Sequence, residues 1–298
     1  MRIDHFFLSV AFGWALPSLR PFAHWLDIYQ KELKKRNLKK KTLANKTSLI
    51  KFLKKEMGST PISRITPFQI KTALNHYTSQ NKNSAARCAY VLLNDVFRIA
   101  YDSEIIKVNP MSRIRIPKVH VKRSRLTFDE WQRIYNAARI FCPFYFHIFM
   151  LLALVSAQRR SDLILIDESI IKDGYWFIEQ QKTGAKIALP LTLTLYDASL
   201  NLGDTIKVYF EWFNGPHGKI IKPWNISRWF LYARDIAYSR DYWPGTPPSF
   251  HEQRSLAARL YRIQGVDIKT LLGHKKMSMS DHYDDDRGRE YRKLTYWL

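Results

Sequence analysis

A short stretch near position 250 carries two side chains whose types and spacing suit an anion. His251 and Arg254 lie three residues apart in FHEQRSLAARLY, and Ser249 and Glu252 have the spacing of a capping box, with serine at the N-cap and glutamate at N3. This pattern predicts a helix whose first turn presents both side chains on one face, beside free N–H groups and the positive end of the helix dipole. Such a turn suits a phosphate. Taken alone, it is more simply explained as a solvated polar turn.

Two other stretches place cations at the ends of predicted elements. Arg159 and Arg160 follow an apolar helix in SAQRRSDL, where an arginine can be held rigidly for bidentate phosphate contact and Asp162 is close enough to orient it. Lys182 lies at the tip of a predicted β-hairpin, from which a side chain can reach into a groove. Alone, these features indicate an ion pair at a helix end and a solubilising lysine.

Near the C-terminus, a histidine and a tyrosine follow one another closely. His274 comes directly after LLG, whose glycine predicts the end of a helix. Tyr283 follows nine residues later in DHYDDDRGRE, a run too polar to bury it. As one of 16 tyrosines it carries no signal by itself.

Taken in order, these residues resemble the signature of the tyrosine recombinases, and the likeness is closer still to the lambda-type phage integrases. The segments that carry it are SAQRRSDL, EQQKTGAKIALP, FHEQRSLAARLY, LLGHK and YDDDRGRE. The resemblance runs from about residue 22 to the C-terminus. It implies a site-specific recombinase that cuts and rejoins DNA while integrating or excising phage or prophage DNA.

The resemblance also implies a role for each residue. Tyr283 would attack the scissile phosphate to leave a 3′-phosphotyrosine and a free 5′-hydroxyl, while Arg159 and Arg254 would clamp the non-bridging oxygens. Lys182 would be the general acid for the departing 5′-oxygen. The remaining roles are proton transfer from the tyrosine for His251, a hydrogen bond to the phosphate for His274, and support of the arginine for Asp162.

This chemistry requires neither ATP nor a metal. A phenol with a pKa of about 10 is a poor nucleophile at neutral pH, but a cluster of cations around the phosphate lowers the barrier, and covalent capture conserves the phosphodiester energy for religation. The sequence contains no Walker A segment, no HExxH and no persuasive carboxylate trio. We therefore expect no cofactor.

Hydrophobic periodicity predicts the elements that position these residues. Residues 22–45 are helical in pattern with a dense basic turn, and further helices are predicted at about 43–57, 67–77 and 84–101. Thr127 is a predicted N-cap, 143–155 a buried apolar helix, and 175–181 and 186–191 two strands of a hairpin. The predicted fold is mainly α with a small β-sheet: a divergent leader (1–20), an all-α core-binding domain (21–108), a basic extended linker (109–125) and a catalytic domain (126–298).

The charge favours a polyanionic partner. Lys and Arg total 48 against 26 Asp and Glu, a net charge of +22, and residues 1–120 hold +15 of it, with 22 basic and 7 acidic residues. Double-stranded DNA is the expected partner, with an anionic membrane surface as the weaker alternative. The predicted DNA-contacting side chains are Lys34, Lys35, Arg36, Lys39, Lys40, Lys41, Lys122, Arg123 and Arg125.

The ends of the chain bear on location and assembly. The apolar run at 6–16 is too short to span a bilayer, and Cys88 and Cys142 have the spacing of neither a disulfide framework nor a zinc site. We expect a cytoplasmic, nucleoid-associated bacterial protein without a membrane partner. By resemblance, the tail YRKLTYWL would pack on a neighbouring subunit in a DNA-bound homotetramer, with accessory DNA-bending proteins as further partners.

One departure from the family leaves alternatives open. Lambda-type integrases begin with a domain that binds arm sites, whereas here only about twenty apolar residues precede the core-binding region. The sequence therefore predicts either an integrase without that module or a shortened prophage remnant. A type IB topoisomerase-like enzyme and a catalytically idle DNA-binding protein are the other interpretations.

Overall fold

The computed structural model describes residues 16–119, 123–214 and 221–281. The chain forms two compact units, Met1–Val121 and Lys122–Leu298. Each has its own hydrophobic core.

The described part of the first unit is built from four helices, as the periodicity predicts. They are α1 (Phe22–Lys35), α2 (Lys40–Met57), α3 (Pro67–Thr78) and α4 (Asn83–Asp102). The predicted basic turn falls between α1 and α2. Thr66 and Gln69 form a capping box at the start of α3, with proline at its first helical position. The core includes Phe22 stacked on Phe97, with ring centroids 5.3 Å apart.

The segment predicted as an extended linker is packed over part of its length. Pro110–Arg113 forms a 3₁₀ turn, and Met111 and Ile114 are buried in the core of the first unit. In the second unit the Ser124 backbone N–H donates to the Thr246 carbonyl oxygen at 2.8 Å. Apolar side chains within the basic run explain the packing, because their burial is favourable whatever charge surrounds them.

In the described residues of the second unit, eight further helices surround one core. They are α5 (Phe128–Phe141), α6 (Phe144–Ser156), α7 (Arg160–Leu163), α8 (Leu202–Phe213), α9 (Pro223–Ala237), α10 (Glu252–Ile263), α11 (Ile268–Leu272) and α12 (Ser278–Asp281). The predicted cap of α5 is confirmed, since Thr127 and Glu130 form a capping box. The predicted apolar helix, α6, is buried on most of its surface. In the part of the chain that the structure describes, no helix has both the length and the apolar character needed to cross a bilayer.

A small antiparallel sheet carries the predicted hairpin. Its strands are β1 (Ile171–Lys172), β2 (Tyr175–Glu179) and β3 (Lys186–Pro190), in the order β1-β2-β3. Trp176 and Ile178 of β2 face the core, and the alternate residues Tyr175, Phe177 and Glu179 face solvent, as expected for a strand. A second pair, β4 (Thr194–Leu195) and β5 (Leu200–Asn201), follows.

The predicted capping box at Ser249 is wrong. Helix α10 begins at Glu252, His251 is its N-cap residue, and no side chain caps it. The Ser249 hydroxyl instead accepts a hydrogen bond from Arg123 at 2.9 Å, and the Glu252 carboxylate pairs with Arg125 at 3.4 Å. The two side chains that the pattern assigned to each other therefore have arginine partners from a distant segment of the chain.

Candidate active site

Arg159 is presented by a sharp turn at the end of α6. Ala157 adopts the left-handed conformation with φ 54° and ends the helix, so the chain turns before Arg159, the N-cap residue of α7. The half-buried Arg159 donates from Nη1 to Gln180 Oε1 at 2.6 Å. Among the described residues, this contact with the hairpin holds the guanidinium.

Arg254 lies in the first turn of α10 and is only 1% exposed. Its Nη1 donates to the Ala157 carbonyl oxygen at 2.6 Å and to Gln158 Oε1 at 3.3 Å. Its Nη2 donates to the Leu272 carbonyl oxygen at 2.6 Å. Helix α10 is itself held by a bond from Trp131 Nε1 to Gln253 Oε1 at 2.6 Å, so the guanidinium has little freedom to move.

Two buried glutamines that the sequence interpretation did not single out join these arginines. Gln180 donates from Nε2 to Gln158 Oε1 at 3.1 Å and to the Leu272 carbonyl oxygen at 3.0 Å. A continuous chain of hydrogen bonds therefore runs from Arg159 through both amides to Arg254. Both glutamines lie inside segments that carry the family resemblance, SAQRRSDL and EQQKTGAKIALP. Their place in these segments is the sequence feature that could have indicated a role in the site.

Lys182 lies in the hairpin turn and is exposed, as predicted. The turn is closed by a bond from the Gly184 N–H to the Gln180 carbonyl oxygen at 2.8 Å, and Gly184 has φ +68°. The Thr183 hydroxyl donates to Gln180 Oε1 at 2.8 Å. The lysine therefore projects from a loop whose base is fixed to the amide that also receives Arg159.

Asp162, predicted to support an arginine, is hydrogen-bonded to the base of the hairpin. Among the described residues its Oδ1 accepts the Gln181 backbone N–H at 2.9 Å and the Ser161 hydroxyl at 3.3 Å. The carboxylate therefore fixes the base of the hairpin that carries Lys182. The described hydrogen-bond partner of Arg159 is a neutral amide, that of Gln180.

His251 lies at the start of α10 among the cations. Burial of the ring lowers its pKa to about 4, and the positive charges of Arg254, Arg159, Lys182 and Arg123 act in the same direction. Although part of the residue is exposed, protein surrounds the ring, and the four positive charges further disfavour its protonated form. The imidazole is therefore neutral near pH 7 and able to accept a proton.

His274 follows Gly273, which ends α11 with φ +61°. The imidazole is 7% exposed, and its Nδ1 lies 2.9 Å from the Ser280 hydroxyl oxygen. Burial lowers its pKa to about 4, with Arg254 and Arg159 contributing. His274 is therefore held neutral beside the two arginines.

The predicted nucleophile, Tyr283, lies outside the described residues. Tyr261, on the same helix as Arg254, is buried and donates its hydroxyl to the Val155 carbonyl oxygen at 2.6 Å. Burial raises the pKa of this phenol, so Tyr261 is a structural tyrosine.

The predicted DNA-contacting cations have different environments. The exposed group comprises Lys34, Lys35, Arg36, Lys39, Lys40 and Lys41, at the end of α1 and the beginning of α2. Arg36 is oriented by Asp95 at 3.2 Å, and Arg123 by the Ser249 hydroxyl. Lys122 lies outside the described residues.

Arg125, which the sequence predicts to contact DNA, is buried in the described conformation. Arg125 is 7% exposed, pairs with Glu252 and donates from Nη1 to the Ser255 hydroxyl at 2.6 Å. Its guanidinium is hydrogen-bonded within the second unit in this conformation. Arg125 instead attaches the segment before α5 to the first turn of α10.

The site thus combines two restrained guanidinium groups, two neutral imidazoles and an exposed lysine on a fixed turn. Fixed positive charge that faces a phosphate from several sides stabilises the additional negative charge of a pentacovalent transition state. A neutral imidazole among these cations can take up a proton. The arrangement is suited to phosphoryl transfer onto a hydroxyl nucleophile.

Comparison with known proteins gives matches over both units. A family model described as the phage integrase family matches residues 124–289, and one described as the phage integrase central domain matches residues 22–116. The integrase of Escherichia phage HK022 is 38% identical over 278 residues, which cover 91% of this chain and 77% of that protein.

Solved structures of lambda integrase are also similar. A lambda integrase dimer bound to a COC′ core site has a TM-score of 0.84 at 38% identity and matches 92% of this chain and 80% of that one. A lambda integrase tetramer bound to a Holliday junction has a TM-score of 0.85 at 37% identity, with the same coverage. These matches extend over nearly the whole chain.

Proposed function

This chain belongs to the phage integrase family and is a DNA strand transferase of the tyrosine recombinase type, and on that premise we propose that Tyr283 is its nucleophile. The phenolic oxygen attacks the scissile phosphorus and expels the 5′-oxygen, so that a 3′-phosphotyrosine and a 5′-hydroxyl result. Attack of a 5′-hydroxyl from another strand on the phosphotyrosine reverses the step and releases the enzyme. The number of phosphate ester bonds is unchanged, so no external energy source is needed.

The observation that carries this proposal is the convergence of Arg159, Arg254, His251, His274 and Lys182 within the second unit. Arg159 and Arg254 contact the non-bridging oxygens, where negative charge grows in the transition state. His274, neutral and adjacent to both, donates a hydrogen bond to the phosphate from the ring nitrogen that does not face Ser280. These three side chains supply binding that strengthens as the phosphorus becomes pentacovalent.

Proton transfer is assigned to the two most accessible groups. His251 is neutral because its pKa is lowered to about 4, and it accepts the phenolic proton as the tyrosine attacks. Lys182, on the exposed hairpin turn, donates a proton to the 5′-oxygen as that bond breaks. Binding of the phosphate anion offsets the surrounding positive charge and so increases the basicity of His251 at the moment when it is needed.

The substrate we propose is double-stranded DNA carrying core-type attachment sites, on which four copies of this chain assemble. The solved lambda integrase complexes, a dimer on a core site and a tetramer on a Holliday junction, support this assignment. The exposed cations around the α1–α2 turn supply phosphate contacts from the first unit. Integration or excision of phage DNA in the cytoplasm of a bacterial host follows from these assignments.

A nicked suicide substrate tests the nucleophile. Cleavage near a nick releases a short oligonucleotide that diffuses away, so the covalent protein–DNA adduct accumulates. We expect the natural protein to form this adduct in excess EDTA and Tyr283→Phe to form none. Tyr196→Phe, at an exposed tyrosine of the same unit, is the matched control and should react normally. An adduct from Tyr283→Phe, or a requirement for added magnesium, would contradict the proposal.

A further inference from the structure

The buried glutamine pair in the second unit has no part in the proton transfers described above. We propose that Gln180 is a positioning residue that sets the geometry of the two-arginine phosphate clamp, holding Arg159 directly and Arg254 through Gln158. The proposal rests on the phosphate-clamping role given to these arginines under the proposed function. It adds a residue whose effect on the reaction passes entirely through other side chains.

The hydrogen-bonding capacity of Gln180 is fully used. Its Oε1 accepts from Arg159 at 2.6 Å and from Thr183 at 2.8 Å, and its Nε2 donates to Gln158 and to the Leu272 carbonyl oxygen. A primary amide has two acceptor positions and two donor hydrogens, and all four are engaged. The side chain is 1% exposed, so water does not compete for these bonds.

Gln158 is saturated in the same way. Its Nε2 donates to the Ser156 and Leu271 carbonyl oxygens, both at 2.9 Å, and its Oε1 accepts from Gln180 and Arg254. The side chain is 2% exposed. The two amides therefore form one fixed unit that joins the end of α6, the hairpin and the end of α11.

The glutamine pair also fixes the backbone that precedes His274. The carbonyl groups of Leu271 and Leu272 end α11 and accept from the two amides. Gly273 follows with φ +61°, and a Cβ at this position would lie 2.9 Å from Gln180 Nε2. The backbone that presents His274 is thus packed directly against the amide that receives Arg159.

An amide is the side chain that this position requires. Glutamate would accept from Arg159 but could not donate to Leu272, and its charge would offset the positive charge that the phosphate needs. Methionine has a similar shape but makes no comparable hydrogen bonds, so it would release the end of Arg159. Misplacement of a catalytic group by about 1 Å can cost on the order of 100-fold in rate.

The test compares Gln180→Met with Gln132→Met in single-turnover cleavage of the nicked substrate. Gln132 is an exposed glutamine of α5 in the same unit and serves as the matched control. We expect Gln180→Met to cleave about 10- to 100-fold more slowly, with DNA affinity within about 3-fold of the natural protein, because the defect lies in transition-state contacts. The Gln132→Met rate should be unchanged.

A second substrate separates positioning from general damage to the fold. When a methyl group replaces one non-bridging oxygen of the scissile phosphate, the transition state carries one negative charge fewer and depends less on the arginines. We expect the slowing caused by Gln180→Met to shrink to within about 3-fold on this methylphosphonate. An equal slowing on both substrates, or normal cleavage of the phosphate by Gln180→Met, would overturn the proposal.

A second variant and the adduct assay of the natural protein separate the remaining outcomes. If Gln180→Met does not fold, Gln158→Met removes the link between Gln180 and Arg254 without adding charge and is judged by the same criterion, slowed cleavage of the phosphate and near-normal cleavage of the methylphosphonate. Absence of any adduct from the natural protein would refute the proposed function itself. A normal adduct from the natural protein with no selective defect in either variant would refute the positioning role alone.

Discussion

Arg125→Met should destabilise the second unit while leaving DNA contacts intact, although the basic segment around Arg125 favours a phosphate contact by sequence. The substitution removes the cation that pairs with Glu252 and leaves a 7%-exposed carboxylate side chain without it. It also removes the bond at 2.6 Å to the Ser255 hydroxyl. Removing one partner of a buried ion pair costs about 3–5 kcal/mol, mostly because the remaining charge stays buried. We expect a loss of that size in the free energy of unfolding.

Urea titration of the full chain measures the loss, and a double-mutant cycle assigns it to the pair. Arg125→Met/Glu252→Gln should regain most of the stability, because the neutral amide removes the buried charge. The slope of log affinity for DNA against log salt should not change in Arg125→Met, whereas exposed Lys40→Met should reduce it by about 0.9. A stability loss below about 1 kcal/mol, or a salt slope lowered as in Lys40→Met, would refute the structural role of Arg125.

Three further predictions follow from local geometry and charge. Gly273→Ala should lower the free energy of unfolding by about 1–2 kcal/mol and slow cleavage, because its Cβ would press on Gln180. Gly265→Ala, with φ +79° and open space around it, should lower that free energy by about 1 kcal/mol and leave cleavage unchanged. Equal effects of the two variants on cleavage would contradict the packing argument. Thr127→Ala should lower the free energy of unfolding, measured by urea titration, by about 1 kcal/mol because its capping box is lost. Ser249→Ala should lower it by less than about half of that. A larger loss from Ser249→Ala than from Thr127→Ala would support the predicted cap at Ser249. The pKa of His274 is lowered from 6.5 to about 4, so as the pH falls the unfolded chain takes up a proton at this side chain before the folded chain does. The free energy of unfolding should therefore be unaffected by this group above pH 6.5 and fall as the pH approaches 4, with a loss of about 2 kcal/mol at pH 5. His274→Asn should remove this loss when urea titrations at pH 7 and pH 5 are compared.

Much of the fold was predictable because local rules and the tertiary structure agree. The four helices of the first unit, the cap at Thr127 and the hairpin around Lys182 all follow from periodicity and turn chemistry. The spacing predicts that His251 and Arg254 share one helix face, but their grouping with Arg159 and His274 was available only from the resemblance. No spacing rule relates residues that are about a hundred positions apart.

The differences from the sequence interpretation concern side chains whose partners are distant in sequence. Ser249 and Glu252 satisfy the local spacing of a cap, but their partners are arginines more than 120 positions earlier. Asp162 lies beside the arginines in sequence, yet the hairpin backbone is its partner. A local sequence pattern identifies only hydrogen-bond partners that are near in sequence. Whether a side chain bonds to these or to distant partners depends on which groups the fold buries beside it.

The glutamine pair was not predicted for a related reason. Glutamine has no charge and no titration near neutral pH, so a search for chemistry among ionisable residues passes over it. Its importance comes from burial and from four simultaneous bonds, and both follow only from the tertiary fold. The left-handed Ala157 that shapes the same corner has no sequence signal, because that conformation usually favours glycine.

The most direct test of the account is to identify the amino acid that becomes joined to DNA. The adduct formed on the nicked substrate is digested with protease and nuclease, and the remaining nucleopeptide is sequenced by mass spectrometry. The account predicts a single modified residue, Tyr283, linked to the 3′-phosphate of the cleaved strand. Attachment at any other residue, or linkage to a 5′-phosphate, would contradict it.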